Sequence, residues 1–555
     1  MPVPSCSPRI ARHIAKMGLL RPRSSRMRWL PILIGVGLLT CVLLGPLLHA
    51  KWQGIDDHEI MKFLGQDRKA HITELVALLS DTEVARLGSF GRYRPSYYIA
   101  RALEAVAWGD SPRLWYLSRM VMFAISAALA WDLLARRLGV LAAGLVVLYL
   151  LTFRFWGDIW CGLGPAEQYA VLGTAMYAYG VFGLTRAARA NRGLRTRGAT
   201  AYWMLLVVPG ALLAMGSKEN FLFLLIPTWA VTVWLGVRHR LDRAALLGCA
   251  LITAYGLFIG VAVAIAVGSA GRDVYLNPVG IGYRLALVPS GINRALVGIR
   301  WTDRLATAAA GGAAACLAVV AWRQRHARRA AAATVLVLVC LLLLNLSQFV
   351  FYCGQLPEHS RYAFPALLVW PGYWLALCVM DLRLLRSLAQ ERWQTTLAHL
   401  GLCLAVLALV AMERRGLTEL GLRAELHAQR TQRFTEKITA ICDRAKADPG
   451  RPIVLVSHLV YMDCEHCFST QRFLHAAGIA NPLYLDLRGE HADAAGLPPL
   501  EKFLHAHMAE VSRRGLEGFA PWATRPPEAA CFAVGFSGDP GGDYVSLGRL
   551  NERTE

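Results

Sequence analysis

Negative charge, internal repeats and low-complexity tracts are what this 555-residue chain has least of. No repeat is detectable, which weighs against a transporter assembled from duplicated halves. Charged residues are 17% of the chain, and acids are the scarcer kind, 38 Asp+Glu against 59 Lys+Arg. The first 28 residues contain no acid but carry Arg9, Arg12, Lys16, Arg21, Arg23, Arg26 and Arg28. Residues 29–49 carry no charge of either sign and are about long enough to cross a hydrocarbon core. That apolar stretch is too long for the h-region of a signal peptide, and no small-residue cleavage site follows His49. It reads as an uncleaved first helix whose basic N-terminus stays in the cytoplasm.

Apolar residues are 55% of the chain and its mean hydropathy is +0.39, values of a polytopic membrane protein. The net charge of +21 does not signal nucleic acid. From Glu413 onward there are 17 Lys+Arg and 19 Asp+Glu, a balance of −2, so residues 1–412 hold +23, mostly in short loops between apolar runs. Eleven spans are expected, near 29–49, 113–134, 139–154, 165–185, 200–217, 219–237, 244–268, 304–322, 331–351, 361–380 and 396–412. Arg136-Arg137, the five arginines from Arg186 to Arg197, Arg238/Arg240/Arg243, Arg323/Arg325/Arg328/Arg329 and Arg383/Arg386/Arg392 all then fall on the side of the N-terminus. An odd count puts 413–555 on the outer, periplasmic or extracellular, face of a bacterial inner membrane.

Three domains follow. Residues 1–28 form a basic cytoplasmic N-terminus. Residues 29–412 form the transmembrane domain, with a long outer loop at 50–112. Residues 413–555 form a small soluble α/β domain. In the outer loop, apolar spacing from His71 predicts a short surface helix, Ser80-Asp81-Thr82-Glu83 reads as a capping box, and Gly88 as a helix stop. The tail starts with a polar helix near 415–447. Two β-like runs at 452–457 and 482–487 follow, with a helix between, a βαβ pattern. The fold class is thus all-α polytopic with a C-terminal α/β domain.

The residues that can carry chemistry cluster at expected outer ends of spans. Asp56-Asp57-His58-Glu59 follows the first span. One carboxylate of the pair could deprotonate an acceptor hydroxyl, both could hold Mg²⁺ or Mn²⁺ against a phosphate, or the pair could merely cap the next helix. In Gly91-Arg92-Tyr93-Arg94-Pro95-Ser96-Tyr97-Tyr98, Arg92 and Arg94 could clamp a lipid-linked phosphate or anchor to anionic lipid beside an aromatic belt. Gly216-Ser217-Lys218-Glu219-Asn220 leaves Lys218 and Glu219 at membrane depth with little loop to carry them away. Lys218 could bind phosphate, with Glu219 its bland partner. His359-Ser360-Arg361-Tyr362 opens a span, where Arg361 could meet phosphate or snorkel. Asp158 and Glu167, near Trp156 and Trp160, are weaker candidates for sugar binding.

Thirteen cysteines are scattered, and Cys249, Cys316, Cys340, Cys378 and Cys403 lie in apolar runs as packing residues. In the tail, Cys464 and Cys467 form a CxxC. With Cys442 and Cys531 they are disulfide candidates whose pairing is open. Half a zinc site with His458 or His466 is the alternative.

An acidic pair beyond a first span, surface helices in a long first outer loop, Ser-Lys-Glu between middle spans and a late Arg-Tyr-x-x-Pro together resemble the GT-C glycosyltransferases, nearest the dolichyl-phosphate-mannose/aminoarabinose transferase group. The resemblance covers residues 29–412. It implies a polyprenyl-phosphate-linked sugar donor, inverting transfer to a cell-envelope glycan, lipid or protein, Asp56 or Asp57 as the catalytic carboxylate, and Lys218 and Arg361 on the phosphate. Asp-Asp-His-Glu and Gly-Arg-Tyr-Arg-Pro depart from the family pattern, and the tail resembles nothing. A lipid or sugar transporter and a non-catalytic envelope scaffold remain the alternatives. No nucleic acid is expected as partner.

Overall fold

The computed structural model describes residues 25–65, 67–87, 92–190, 196–239, 242–270, 281–297, 300–321, 325–354, 356, 359–388, 391–457, 460–487, 499–527, 531–535 and 546–548. Among these, nine helices are long and apolar enough to cross a membrane: Arg28–His49, Pro112–Leu138, Thr200–Ser217, Glu219–Val237, Arg243–Gly268, Trp301–Ala321, Ala327–Phe351, Ala366–Leu388 and Trp393–Met412. Their large apolar side chains stand outward, Val42 at 73% exposure and Val319 at 78%. Such a band is tolerable only against lipid. The protein is an all-α polytopic membrane protein.

Two of the eleven expected spans differ. Val140–Leu150 is an 11-residue helix, about 16 Å long and half a bilayer core. Helix Glu167–Ala190 is long enough, but polar groups occupy its start, where Glu167 and Gln168 are buried among protein atoms. The segment at 361 also differs. Arg361 and Tyr362 sit in a 3-10 turn, Arg361–Ala363, and the α-helix begins only at Val369, beyond Pro365.

The elements that build the site are α1 (Ser25–Leu44), α2 (His58–Leu64), α3 (Pro95–Trp108), α4 (Pro112–Leu138), α5 (Phe155–Trp160), α6 (Glu167–Ala190) and α7 (Thr196–Ser217). Helix α2 stops at Gly65, whose positive φ of 63° and N–H to Met61 O close the last turn. The expected capping box at Ser80–Glu83 is not formed. Ser80 is the last residue of the helix Leu75–Ser80, and Thr82 Oγ1 accepts the Val84 N–H instead. Glu83 is buried and bonds Arg94 through both oxygens, at 3.1 and 2.6 Å. A charge-assisted fork outweighs one capping bond.

The tail opens with α8 (Arg414–Ala447), then runs β1 (Ile453–Ser457), α9 (Val460–Ala476), β2 (Leu483–Leu487), α10 (Pro499–Arg514), β3 (Phe532–Gly535) and β4 (Ser546–Gly548). The sheet order is β2-β1-β3-β4, with β1 parallel to both neighbours and β4 antiparallel to β3. Parallel strands joined through helices need cover on both faces, and β1 is buried at every position. One core runs from the membrane body into this tail. Leu47, Tyr116 and Trp160 belong to the same buried cluster as Leu420, Ala424, Ile441 and Leu455. At the junction, Gly416 lies so close to the Thr152 carbonyl that a Cβ would overlap it.

Candidate functional site

The two adjacent aspartates point in opposite directions. Asp57 N–H donates to Ile55 O at 2.9 Å, and Asp57 Oδ2 accepts the Gln53 N–H at 2.8 Å, so the loop folds back over its own carboxylate. Asp57 is fully buried. Burial pushes its carboxyl up to about 7, against the pull of the Gln53 N–H and the Arg101 charge. Asp56 is thrown outward by a left-handed backbone, φ 69°, which a short polar side chain tolerates better than most. Its side chain is 38% exposed. Behind it lies Gly164, where a Cβ would overlap the Asp56 carboxyl; the Gly164 carbonyl accepts Tyr97 OH at 2.9 Å, and buried Arg101 donates to that hydroxyl at 3.1 and 3.2 Å. Burial lowers His58 to about 4 and raises Glu59, so neither is a solvated loop residue.

Cations meet Asp56 from the far end of the sequence. Arg361 NH1 is 3.6 Å from Asp56 Oδ2, and the Arg361 backbone N–H donates to Asp158 Oδ2 at 2.7 Å. Helix α5 supplies Asp158 and the first turn of α6 supplies Glu167. Lys218 has extended backbone between α7 and a 3-10 turn, Glu219–Leu224. Its Nζ lies 2.6 Å from Glu167 Oε1 and 4.7 Å from the centre of the Tyr362 ring. Arg361 lies over the same ring at 5.6 Å. The backbone around Tyr362 is fixed by Gln348, whose Nε2 donates to Tyr362 O at 2.7 Å and Phe364 O at 2.6 Å. Arg92 adds positive charge to the surroundings of Lys218 and Tyr362.

Asp56, Asp158, Glu167, Lys218, Arg361 and Tyr362, six residues singled out from the sequence, therefore come together from four chain segments. Others do not join them. Arg94 is spent on Glu83. Glu219 is buried with Oε1 unpartnered, and the carboxylate that pairs Lys218 is Glu167. Asp158 and Glu167 bond to the two cation-bearing segments, which fixes those segments against each other. Among the described residues no group of three or more His, Cys, Asp and Glu could hold a metal. In the tail, Cys442 is a buried thiol on α8, and burial raises it. Cys467 shares its core cluster, while Cys531 packs with Val454 and Tyr484 in another. The Cys464 side chain, His458 and Gly91 lie outside the described residues.

Sequence reasoning missed Gly164, Gln348 and Arg101, and read Tyr97 only as part of an aromatic belt. Gly162-Leu163-Gly164-Pro165 carried a turn signal with no pointer to a partner 108 positions earlier. Gln348 sits inside an apolar run, and a polar residue there tends to face the interior of the bundle, a signal that could have marked it.

Fold and site define a class: a polytopic helical membrane protein with a charged cluster, two cations and an outward carboxylate, gathered where its spans end. No family model matches the chain, and no curated protein does. A solved structure similar to it is the crystal structure of ArnT from Cupriavidus metallidurans bound to undecaprenyl phosphate, with 14% identity over 90% of this chain and 92% of that one and a TM-score of 0.44.

Proposed function

We propose that this chain is a GT-C type glycosyltransferase, which moves a sugar from a polyprenyl-phosphate-linked donor to a cell-envelope acceptor, with inversion, at the outer face of the inner membrane. The observation that carries this reading is the 3.6 Å approach of Asp56 to Arg361, which puts a proton acceptor and a phosphate cation side by side. Inverting transfer needs both: a base on the attacking hydroxyl and a counter-charge on the departing oxygen. Asp56 takes the acceptor proton. Arg361 and Lys218 meet the phosphate charge, Arg361 with a flat donor fork and Lys218 as a point charge. Asp158 and Glu167 hold those two cations in place, and Asp57 shapes the loop that presents Asp56.

The outer-face assignment, with a periplasmic tail, rests on the arginine-rich loops that alternate with the spans. The test is binding of a polyprenyl phosphate to the full chain in nanodiscs. Lys218→Ala and Arg361→Ala should each weaken it at least about tenfold, the scale of a lost charge-assisted contact, and Arg361→Lys should recover only part. Wild-type affinity in both variants, or no binding by the native chain, would remove the donor assignment.

A further inference from the structure

Hydrogen bonds tie the tail to the outer loop that carries Asp56. Thr431 Oγ1 on α8 accepts the Lys51 N–H at 2.9 Å, Ser469 Oγ on α9 lies 2.7 Å from His58 Nδ1, and the Ala476 carbonyl at the end of α9 accepts Arg68 Nε at 3.3 Å. Helix α9 therefore lies along α2, next to the outward aspartate. Glu465 precedes Ser469 by four residues, so both occupy one face of α9. The charges around Glu465 are Asp56, Arg361 and Glu59, all from the membrane body. Its side chain reaches solvent; partial burial, then the Asp56 charge, push its carboxyl up, and Arg361 pulls it down. Nothing in the proposed transfer uses this residue, yet it stands in the field of both the base and the phosphate cation.

We propose that Glu465, delivered by the soluble tail, is a site residue that discriminates the singly charged lipid-linked donor from the doubly charged carrier phosphate left after transfer. This rests on the donor reading above. The chemistry sets the charges. The donor is a phosphodiester with one negative charge. In transfer the bond from the sugar's anomeric carbon to the phosphate oxygen breaks, and its electron pair stays on that oxygen. The acceptor oxygen bonds to the same carbon, and the acceptor proton goes to Asp56. The leaving phosphomonoester carries a second negative charge near neutral pH, since its second pKa is about 6. Arg361 and Lys218 alone would hold that dianion more tightly than the donor and stall release. A carboxylate in the field of Arg361 repels the dianion about twice as strongly as the monoanion. Glu465 thus tilts the site toward donor capture and product release.

The experiment needs neither the sugar nor the acceptor. Affinities of the full chain in nanodiscs are measured at pH 8 for a polyprenyl phosphate and for its methyl diester, matched in chain and differing in charge. Glu465→Gln keeps the side-chain shape, and Glu510→Gln, on an exposed tail carboxylate paired with Arg513 and Arg514, is the control. Glu465→Gln should shift the diester-to-monoester preference toward the monoester by about threefold or more, a charge effect that high salt shrinks, and the control should leave it alone. An unchanged preference in Glu465→Gln, or an equal shift in the control, overturns the proposal while the donor reading stands. Failure of the native chain to bind either lipid overturns the donor reading and this proposal with it.

Discussion

Replacing Asp56 by Asn separates the two tasks assigned to the charged cluster, because it should move them in opposite directions. The substitution keeps the shape that fits against Gly164 and the left-handed backbone, which Asn adopts as readily as Asp. Loss of the base should lower turnover about 10²- to 10⁴-fold. Binding should improve. Asp56 stands 3.6 Å from Arg361 and is 38% exposed, so its charge opposes any phosphate on that guanidinium through a partly aqueous medium. At roughly 6 Å and an effective dielectric near 40, two unit charges interact by about 1.4 kcal/mol, or about tenfold in affinity. Asp56→Asn should therefore bind a polyprenyl phosphate several-fold more tightly while it no longer turns over. Turnover is read by mass spectrometry, as loss of endogenous polyprenyl-phosphate sugars in membranes that contain the native acceptor. Binding is read in nanodiscs. Weaker binding together with lost turnover would mean that Asp56 organises the site rather than serving as its base. Turnover within about threefold of the native chain would exclude general-base catalysis by Asp56.

Gly164→Ala should behave as a milder version of the same lesion, since the new methyl displaces the Asp56 carboxyl. Turnover should fall at least about tenfold with expression and phosphate binding retained, and normal turnover would show that the loop has room to spare. Asp57→Asn should change stability with pH. The folded carboxyl sits at about 7 against 3.8 for the free group, so its contribution is complete below 3.8 and is lost as pH rises through 7. The Asn variant does not titrate, so its melting temperature should gain on the native chain between pH 4 and pH 8. A constant or shrinking gap would refute the burial argument.

Much of the membrane body was legible because one signal, uninterrupted apolar length, suffices for a helix in lipid. It failed where length and polarity disagreed, at Val140–Leu150 and at Glu167, which needs a buried lysine 51 positions away to make sense. The site was legible as a set of residues but not as an arrangement. Charges forced to membrane depth, such as Lys218 and Arg361, announce themselves. Which acid answers which cation depends on helix packing, so Glu167 took the place expected for Glu219, and Asp57 turned inward although nothing in Asp-Asp-His-Glu distinguishes it from Asp56. The tail's two parallel strands at 453–457 and 483–487 followed from apolar runs bounded by turn residues, but the strands Phe532–Gly535 and Ser546–Gly548 that complete the sheet did not. The tail's docking on the Asp56 loop did not either, because Ser469 and Thr431 are ordinary helix residues until His58 and Lys51 lie against them.

The close crossing of Gly416 over Thr152 has a consequence for biogenesis. Helix α8 follows every described span, yet its Gly416 packs on Thr152, made some 260 positions earlier, and its Thr431 fixes the segment just before Asp56. A nascent chain can insert every span and still lack the final shape of its first loop. Assembly then waits on the tail: until it has docked, the polypeptide is a membrane bundle with an unset loop, and a chain interrupted after residue 412 should stay in that state.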